Sequence, residues 1–333
     1  MSLKEKKPKQ KIKYSLTKIL TGSDLSLRRL AQMQAVSEIP GPVIWLTACV
    51  HGDEIGGIVI IQEIFKRLKK MHLLKGSLYA FPLMNPISFE TATRRISISE
   101  EDLNRSFPGD KEGTLAERIA DKIFTSILET KPVLVLDLHN DWTQSMPYTL
   151  IDPYPGLKHK DAYTLAKNFS HKFGFVVINE QEDLADSSEL KRTLSGSLLF
   201  HNIPALTLEL GGAYVVEESN VEAGVKAIWG FLASLGMVKS VQNKNSNVFR
   251  LPKFLKGRIF RYEHLSASSS GIVRFLAKPG DIVKKNQPVA RVYNVFGKIQ
   301  ETLKAKHQAV VLGHADYSVA FPGLDIMAFG KIK

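Results

Sequence analysis

The chain has 333 residues, of which 44% are apolar and 23% are charged, a balance typical of a globular protein. No apolar run reaches the roughly 18–20 residues of a transmembrane helix, and a single cysteine excludes an intrachain disulfide framework, so we expect a cytoplasmic protein without a membrane partner. The formal net charge is +12, but no RNA-binding signature or zinc-finger spacing accompanies it, so we expect no nucleic-acid partner.

The N-terminal segment begins with a lysine-rich stretch, Met1 to Lys13. A secretory signal would place an apolar region after these basic residues, and none follows. We therefore predict a solvated basic tail over residues 1–20.

Between about residues 42 and 236, short apolar strands alternate with segments of helical periodicity. The predicted strands are 42–50, 77–83, 133–138, 174–179 and 204–210, and the predicted helices are 54–70, 114–130, 159–173, 188–201 and 218–235. This alternation predicts an α/β fold with a mixed, mostly parallel sheet flanked by helices on both faces.

The composition changes near residue 240. Gln242 to Asn247 is polar and typical of a linker, and short β-like runs follow at 271–276, 289–293, 309–312 and 326–329. Glycine-containing turns separate these runs. We predict a main domain over residues 21–241 and a small all-β domain with the rhythm of a barrel sandwich over residues 242–333.

His51 and Glu54 form a His-x-x-Glu pattern directly after the first predicted strand of the main domain. Ligands in open α/β sheets bind outside the carboxyl ends of the strands, and an imidazole with a carboxylate can hold zinc there. The simpler interpretation is a loop histidine beside an ordinary first-turn glutamate, because the pattern is weak on its own.

His139 ends the buried strand 133–138 and lies two residues after Asp137. Together with His51 and Glu54 it would complete the three-ligand set of a catalytic zinc, with the fourth position left for water. Asp137 could orient an imidazole. The alternatives are a satisfied polar histidine and a structural aspartate.

The long segment from Asn85 to Gly113 carries a donor-rich pair, Asn104 and Arg105, with Arg94 and Arg95 upstream. Arginine binds a carboxylate through two nitrogens, and asparagine adds a directed amide. Loops of this length in a compact domain are usually functional, although any single surface arginine is ordinarily just solvated.

Glu209 is the one charged residue of the strand 204–210 and is followed by Gly211 and Gly212. A carboxylate in apolar surroundings has a raised pKa and can exchange protons near neutrality. It could serve as the base of a hydrolytic reaction, or it could be an ion-paired glutamate at a strand end.

The order of these motifs resembles the succinylglutamate desuccinylase/aspartoacylase family of the zinc carboxypeptidase-like superfamily, over roughly residues 40–330. The resemblance implies one Zn²⁺ per chain in a hydrolase domain, held by His51, Glu54 and His139. It implies that Glu209 is the general base and acid, that Asn104 and Arg105 hold the substrate, and that Arg94 polarises the scissile carbonyl. Arg95 is the alternative if the loop register differs by one.

The resemblance implies hydrolysis of the amide bond of an N-acylated amino acid or a related small amide, in a possible homo-oligomer. One alternative is a zinc carboxypeptidase that acts on short peptides. Another is a carrier module modified at Lys298, but its neighbours do not match a biotin-carrier hairpin, so we expect an unmodified accessory domain. The last is a scaffold that keeps the fold without zinc.

Overall fold

The computed structural model describes residues 9–21, 25, 27–180, 189–241 and 255–332. Its strands are β1 (Gln10–Thr21), β2 (Leu27–Ser37), β3 (Val43–Ala48), β4 (Ser77–Leu83), β5 (Leu134–Asp141), β6 (Gln144–Ser145), β7 (Tyr148–Ile151), β8 (Val176–Asn179), β9 (Ala205–Gly212), β10 (Ile259–Ser266), β11 (Gly271–Phe275), β12 (Ile282–Val283), β13 (Pro288–Tyr293), β14 (Ile299–Lys304), β15 (Ala309–His314), β16 (Val319–Ala320) and β17 (Asp325–Lys331). Its α-helices are α1 (Gly56–Met71), α2 (Pro86–Thr91), α3 (Leu115–Leu128), α4 (Lys160–Ser170), α5 (Leu194–Phe200) and α6 (Glu218–Ser234). Among these helices, none has both the length and the apolar composition needed to cross a membrane.

The main sheet has a parallel centre, in which β4, β3, β5 and β9 lie side by side. On one side β2 and β1 add antiparallel to β4, and on the other β7 adds antiparallel to β9 and parallel to β8. The predicted mixed sheet is confirmed. Because the central strands run in the same direction, their carboxyl ends open on one edge of the sheet.

Helices cover both faces of this sheet, as predicted. Successive residues of β3 point to opposite faces, so Leu46 packs with α1, α4 and α6 while Trp45 packs with α3 and α5. Both faces are therefore buried, which explains why β3 and β5 are almost continuously apolar. Helix α3 begins with the capping box of Thr114 and Glu117 that its sequence indicates.

The C-terminal all-β region is confirmed, but its strands belong to two sheets. Strand β10 pairs parallel to β8 and antiparallel to β17, so the main sheet continues into this region. A separate four-stranded sheet has the order β14–β13–β11–β16. A core of small aliphatic side chains, Val273, Val292 and Val311 among them, packs within this C-terminal region.

The predicted basic tail needs a correction. Residues from Gln10 onward are not a tail, because β1 pairs along its whole length with β2. Apolar Ile12 and Ile19 pack against the two cores of the main domain, and the lysines between them obscured this pattern. The predicted linker, Gln242 to Asn247, lies outside the described residues. The domain boundary near 241 stays a prediction.

Candidate metal centre and catalytic site

Three neighbouring parallel strands deliver the predicted site residues to one edge of the sheet. His51 and Glu54 lie in the turn between β3 and α1, and His139 lies near the end of β5. Glu209 on β9 is paired in register with His139. Asn140 holds this edge together, since its side chain accepts from the Gly56 backbone N–H and donates to backbone carbonyls of β9.

His51, Glu54 and His139 form a compact cluster whose ligand atoms all lie within 4.8 Å of one another. Glu54 lies between the imidazoles, with Oε1 2.5 Å from Nδ1 of His51 and Oε2 2.9 Å from Nδ1 of His139. All three residues are buried. Two imidazole nitrogens and one carboxylate are the ligands of a catalytic zinc site.

Each histidine of the cluster is oriented by a second carboxylate on its other ring nitrogen. Nε2 of His139 lies 2.9 Å from Asp137, and Nε2 of His51 lies 3.3 Å from Asp102. Such carboxylate–histidine pairs fix the tautomer and leave the other nitrogen free for a metal. The residues therefore fit a divalent metal, which would lie on the Nδ1 side of both rings.

Two residues that support the cluster, Thr47 and Asp102, were not assigned a role from the sequence. Thr47 on β3 donates its hydroxyl to Oδ1 of Asp137 at 2.7 Å, which fixes the carboxylate that orients His139. Asp102 accepts from the Asn104 backbone N–H at 2.8 Å and lies 3.1 Å from Arg94. The position of Asp102 just before Asn104 was its only sequence signal.

The electrostatics of the cluster follow from burial and close pairing. Burial alone would raise the pKa of Glu54, but His51 and His139 outweigh it, and the pKa lies well below its usual range. Burial alone would lower the pKa of His139, yet Asp137 and Glu54 raise it. Glu54 is therefore ionised, as a metal ligand must be.

Glu209 has the opposite character. Burial raises its pKa well above the usual range; His139 opposes this shift, and Asp141 adds to it. Its Oε2 is buried, and no described residue hydrogen-bonds to it. A carboxylate that is short of partners and lies beside a metal-binding cluster is suited to accept and return a proton.

The two candidate arginines point to different places. Nη1 of Arg94 lies 3.4 Å from Nδ1 of His51 and 4.0 Å from Oε1 of Glu54, so its guanidinium borders the cluster. Arg95 instead donates to the Glu100 carbonyl on the exposed side of the loop. The structure therefore places Arg94, and not Arg95, beside the cluster.

Asn104 and Arg105 lie in a short 3-10 turn beside the cluster. Asn104 is buried, and its Oδ1 accepts from the Leu194 backbone N–H at 2.9 Å. Within the described part of the chain, its Nδ2 makes no hydrogen bond. Arg105 donates to the Asn104 carbonyl and lies 3.8 Å from Glu189 through Nε. Asn104 is thus fixed by the fold, whereas Arg105 is partly exposed.

Comparisons with known proteins agree with this architecture. The family model for the succinylglutamate desuccinylase/aspartoacylase catalytic domain matches residues 40–235. An N-alpha-acetyl-L-2,4-diaminobutyric acid deacetylase of Halomonas elongata is 26% identical over 258 residues, which cover 77% of this chain and 71% of that protein.

Solved structures share the fold along nearly the whole chain. The product-bound ectoine utilization protein EutE (DoeB) of Ruegeria pomeroyi has a TM-score of 0.79 at 19% identity, over 96% of this chain and 95% of its own. A succinylglutamate desuccinylase/aspartoacylase of Rhodobacter sphaeroides has a TM-score of 0.78 at 18% identity, over 99% and 97% of the two chains. The similarity therefore includes the C-terminal β region.

Proposed function

Because this chain belongs to the succinylglutamate desuccinylase/aspartoacylase family, we propose that it is a zinc-dependent deacylase that hydrolyses the amide bond of an N-acylated amino acid or a related small amide. The observation that carries the proposal is the convergence of His51, Glu54 and His139 beside Glu209, whose Oε2 is buried without a hydrogen-bond partner. A cytoplasmic location would suit a chain with a single, buried cysteine.

His51, Glu54 and His139 would hold the zinc ion, and Asp102 and Asp137 would keep the two imidazoles oriented for it. Zinc in such a site supplies a water of lowered pKa and a Lewis acid for the amide carbonyl. Three protein ligands would leave a coordination position open for these two tasks.

Glu209 would handle the proton. Its Oε2 is the atom available to take a proton from the attacking water, since neither an ion pair nor a hydrogen bond from the described residues occupies it. The raised pKa of the carboxyl lets the same group return that proton to the leaving amine. Asp137 cannot take this role because Thr47 and His139 already occupy its two oxygens.

Arg94 would stabilise the negative charge that develops on the carbonyl oxygen, because its guanidinium borders the cluster and is half-exposed toward solvent. Asp102 positions this guanidinium through Nη2 at 3.1 Å. Asn104 and Arg105 would bind the carboxylate or acyl end of the substrate, Asn104 through an amide that the fold holds rigidly.

The metal requirement is tested by elemental analysis of the purified protein. We expect about one zinc per chain in the native protein and almost none in His139→Ala, with hydrolysis lost together with the metal. His171→Ala is the matched control, because His171 is an exposed histidine outside the cluster. A native protein that hydrolyses amides without bound metal would refute the proposal.

The substrate class is tested with a panel of N-acetyl, N-succinyl and other N-acyl amino acids beside short peptides with free C-termini. We expect release of the acyl group from N-acyl amino acids and no cleavage of the peptides. Cleavage confined to the peptides would instead support the carboxypeptidase alternative, in which the same metal ligands and Glu209 act on a different amide.

A further inference from the structure

The four-stranded sheet of the C-terminal region carries an apolar row on its outer face. Ile272 on β11 lies opposite both Tyr293 on β13 and Val319 on β16, and Tyr293 lies opposite Ile299 on β14. Opposed residues of antiparallel strands project from the same face. These four side chains therefore form one line across all four strands.

This row faces solvent. Ile272, Ile299 and Val319 are 49%, 51% and 57% exposed, whereas the next residue along β11, Val273, is 2% exposed in the core on the other face. An antiparallel sheet with one face in the core normally presents polar side chains on the other face. The row reverses that pattern.

A neighbouring row on the same face follows the normal pattern, which shows that the reversal is local. Two positions along the strands, Arg274 lies opposite Arg291, and Arg291 lies opposite Thr302. The guanidinium of Arg274 lies 5.6 Å from the centre of the Tyr293 ring. A polar border therefore lies along one side of the apolar row.

The apolar surface continues onto the hairpin between β13 and β14. Val295 and Phe296 at its tip are 83% and 86% exposed. We call the row and this tip together the apolar stripe. Its strongly exposed members, Ile272, Ile299, Val319, Val295 and Phe296, together present roughly 500–600 Å² of apolar surface. This area lies at the upper end of about 300–600 Å², the range of the largest apolar patch on a typical monomer, and such patches are often functional.

We propose that the apolar stripe is a self-association surface, covered by the same stripe of a second copy of this chain. A standard interface buries about 800 Å² per partner, and in homodimers about 65% of that area is apolar. The stripe therefore supplies about the apolar area that a stable dimer needs, and bordering side chains such as Arg274 supply the polar rim.

The geometry of the stripe fits an isologous contact. A two-fold axis that lies between the two sheets and runs parallel to the strands places the row against itself in reverse, so that Ile299 meets Val319 of the second copy and apolar groups face each other on every strand. The row contains no charged side chain, so pairing would not bury an uncompensated charge. Two such sheets can pack face to face at about 10 Å.

Another exposed apolar surface lies on the edge strand β1, at Tyr14 and Leu16. It is less suited to pairing because Lys11, Lys13 and Lys18 flank these residues on the same strand. Lysines on an edge strand oppose edge-to-edge association. Strand β1 therefore offers a matched control surface.

The test compares the native full-length protein with Ile272→Lys and Phe296→Glu by sedimentation velocity and light scattering, from submicromolar to tens of micromolar protein. We expect native dimers of twice the 37.1 kDa chain mass. Each variant should be monomeric over the same range while keeping native metal content and amide hydrolysis. Leu16→Lys should remain dimeric.

A monomeric native protein at every concentration would overturn the proposal. So would a dimer that both stripe variants retain, or one that Leu16→Lys dissociates, since the contact would then lie elsewhere. Using two variants at different positions, one on a strand and one on a hairpin tip, separates loss of the interface from misfolding. Retained hydrolysis provides the second check on folding.

Discussion

The candidate metal-binding edge of the main sheet, where His51, Glu54 and His139 meet, and the apolar stripe of the C-terminal sheet depart from ordinary burial in opposite directions. At the first, histidines and carboxylates are buried among aliphatic strands. At the second, isoleucine, valine and phenylalanine side chains stand in solvent on a sheet face that should be polar. Both arrangements cost free energy in the isolated chain; the proposed metal would relieve the first cost, and the proposed association would relieve the second.

The two regions differ in how much of that cost the chain itself offsets. At the metal-binding edge nearly every buried polar atom has a protein partner: Glu54 pairs with two histidines, and Asp137 pairs with His139 and Thr47. Among the described residues of this edge, Oε2 of Glu209 and Oδ1 of Asp53 are exceptions. The stripe has no such internal compensation. A preorganised site needs a rigid, satisfied surround, whereas an association surface needs only exposed area.

The largest effect should come from Glu209→Gln, which removes the carboxylate whose Oε2 has no partner and leaves the rest of the edge intact. Because glutamine cannot take a proton from water, we expect kcat to fall by about 10²–10⁴ while zinc content stays at the native level. Steady-state kinetics with parallel metal analysis measure both quantities. Glu217→Gln, at an exposed glutamate hydrogen-bonded to Asn220, should leave both unchanged.

Arg94→Ala should give the next largest effect. Its guanidinium contacts the cluster, so its loss should lower kcat by about 10²–10³ with little change in metal content. Arg95→Ala is the matched control, since within the described residues the Arg95 side chain bonds only to the Glu100 carbonyl. Equal losses in the two variants would mean that positive charge near the site, rather than the position of Arg94, matters.

Asp137→Asn should have a smaller effect, which we expect on the affinity for the metal. The amide can still accept from Thr47, but it cannot give His139 the same charged partner, so zinc affinity should weaken by about 10–100-fold. Titration against a competing chelator measures this change. If affinity were unaltered, the carboxylate would serve only the packing of β3 against β5.

Much of the metal-binding edge could be predicted from the sequence because parallel strands bring their carboxyl ends together regardless of their order. Placing His51, His139 and Glu209 after apolar strands was therefore enough to expect that they meet. The contact between Thr47 and Asp137 required more, since β3 pairs with β5 although β4 lies between them in the chain. Strand order of this kind is not encoded in local patterns.

The remaining features depend on exact register. Which arginine faces the cluster is decided by the turn after α2, where Ala92 adopts a left-handed conformation at φ 48°. A one-residue shift would exchange Arg94 and Arg95. The apolar stripe also exists only because the bulged register of β13 and β14 brings Ile299 opposite Tyr293. Strand β1 was missed because its lysines mask a weak apolar alternation.

The smallest effect distinguishes the two faces of one strand. Val273→Ala removes buried methyl groups from the C-terminal core and should lower the free energy of unfolding by about 1.5–3 kcal/mol. Ile272→Ala, one residue away on the outer face, should change it by no more than about 0.5 kcal/mol in dilute protein. Because association stabilises the folded state by mass action, only Ile272→Ala should also weaken the rise of thermal stability with protein concentration. Thermal unfolding at several protein concentrations measures both the stability of each variant and its dependence on concentration. If Ile272→Ala left that concentration dependence unchanged, Ile272 would not be covered by a second copy.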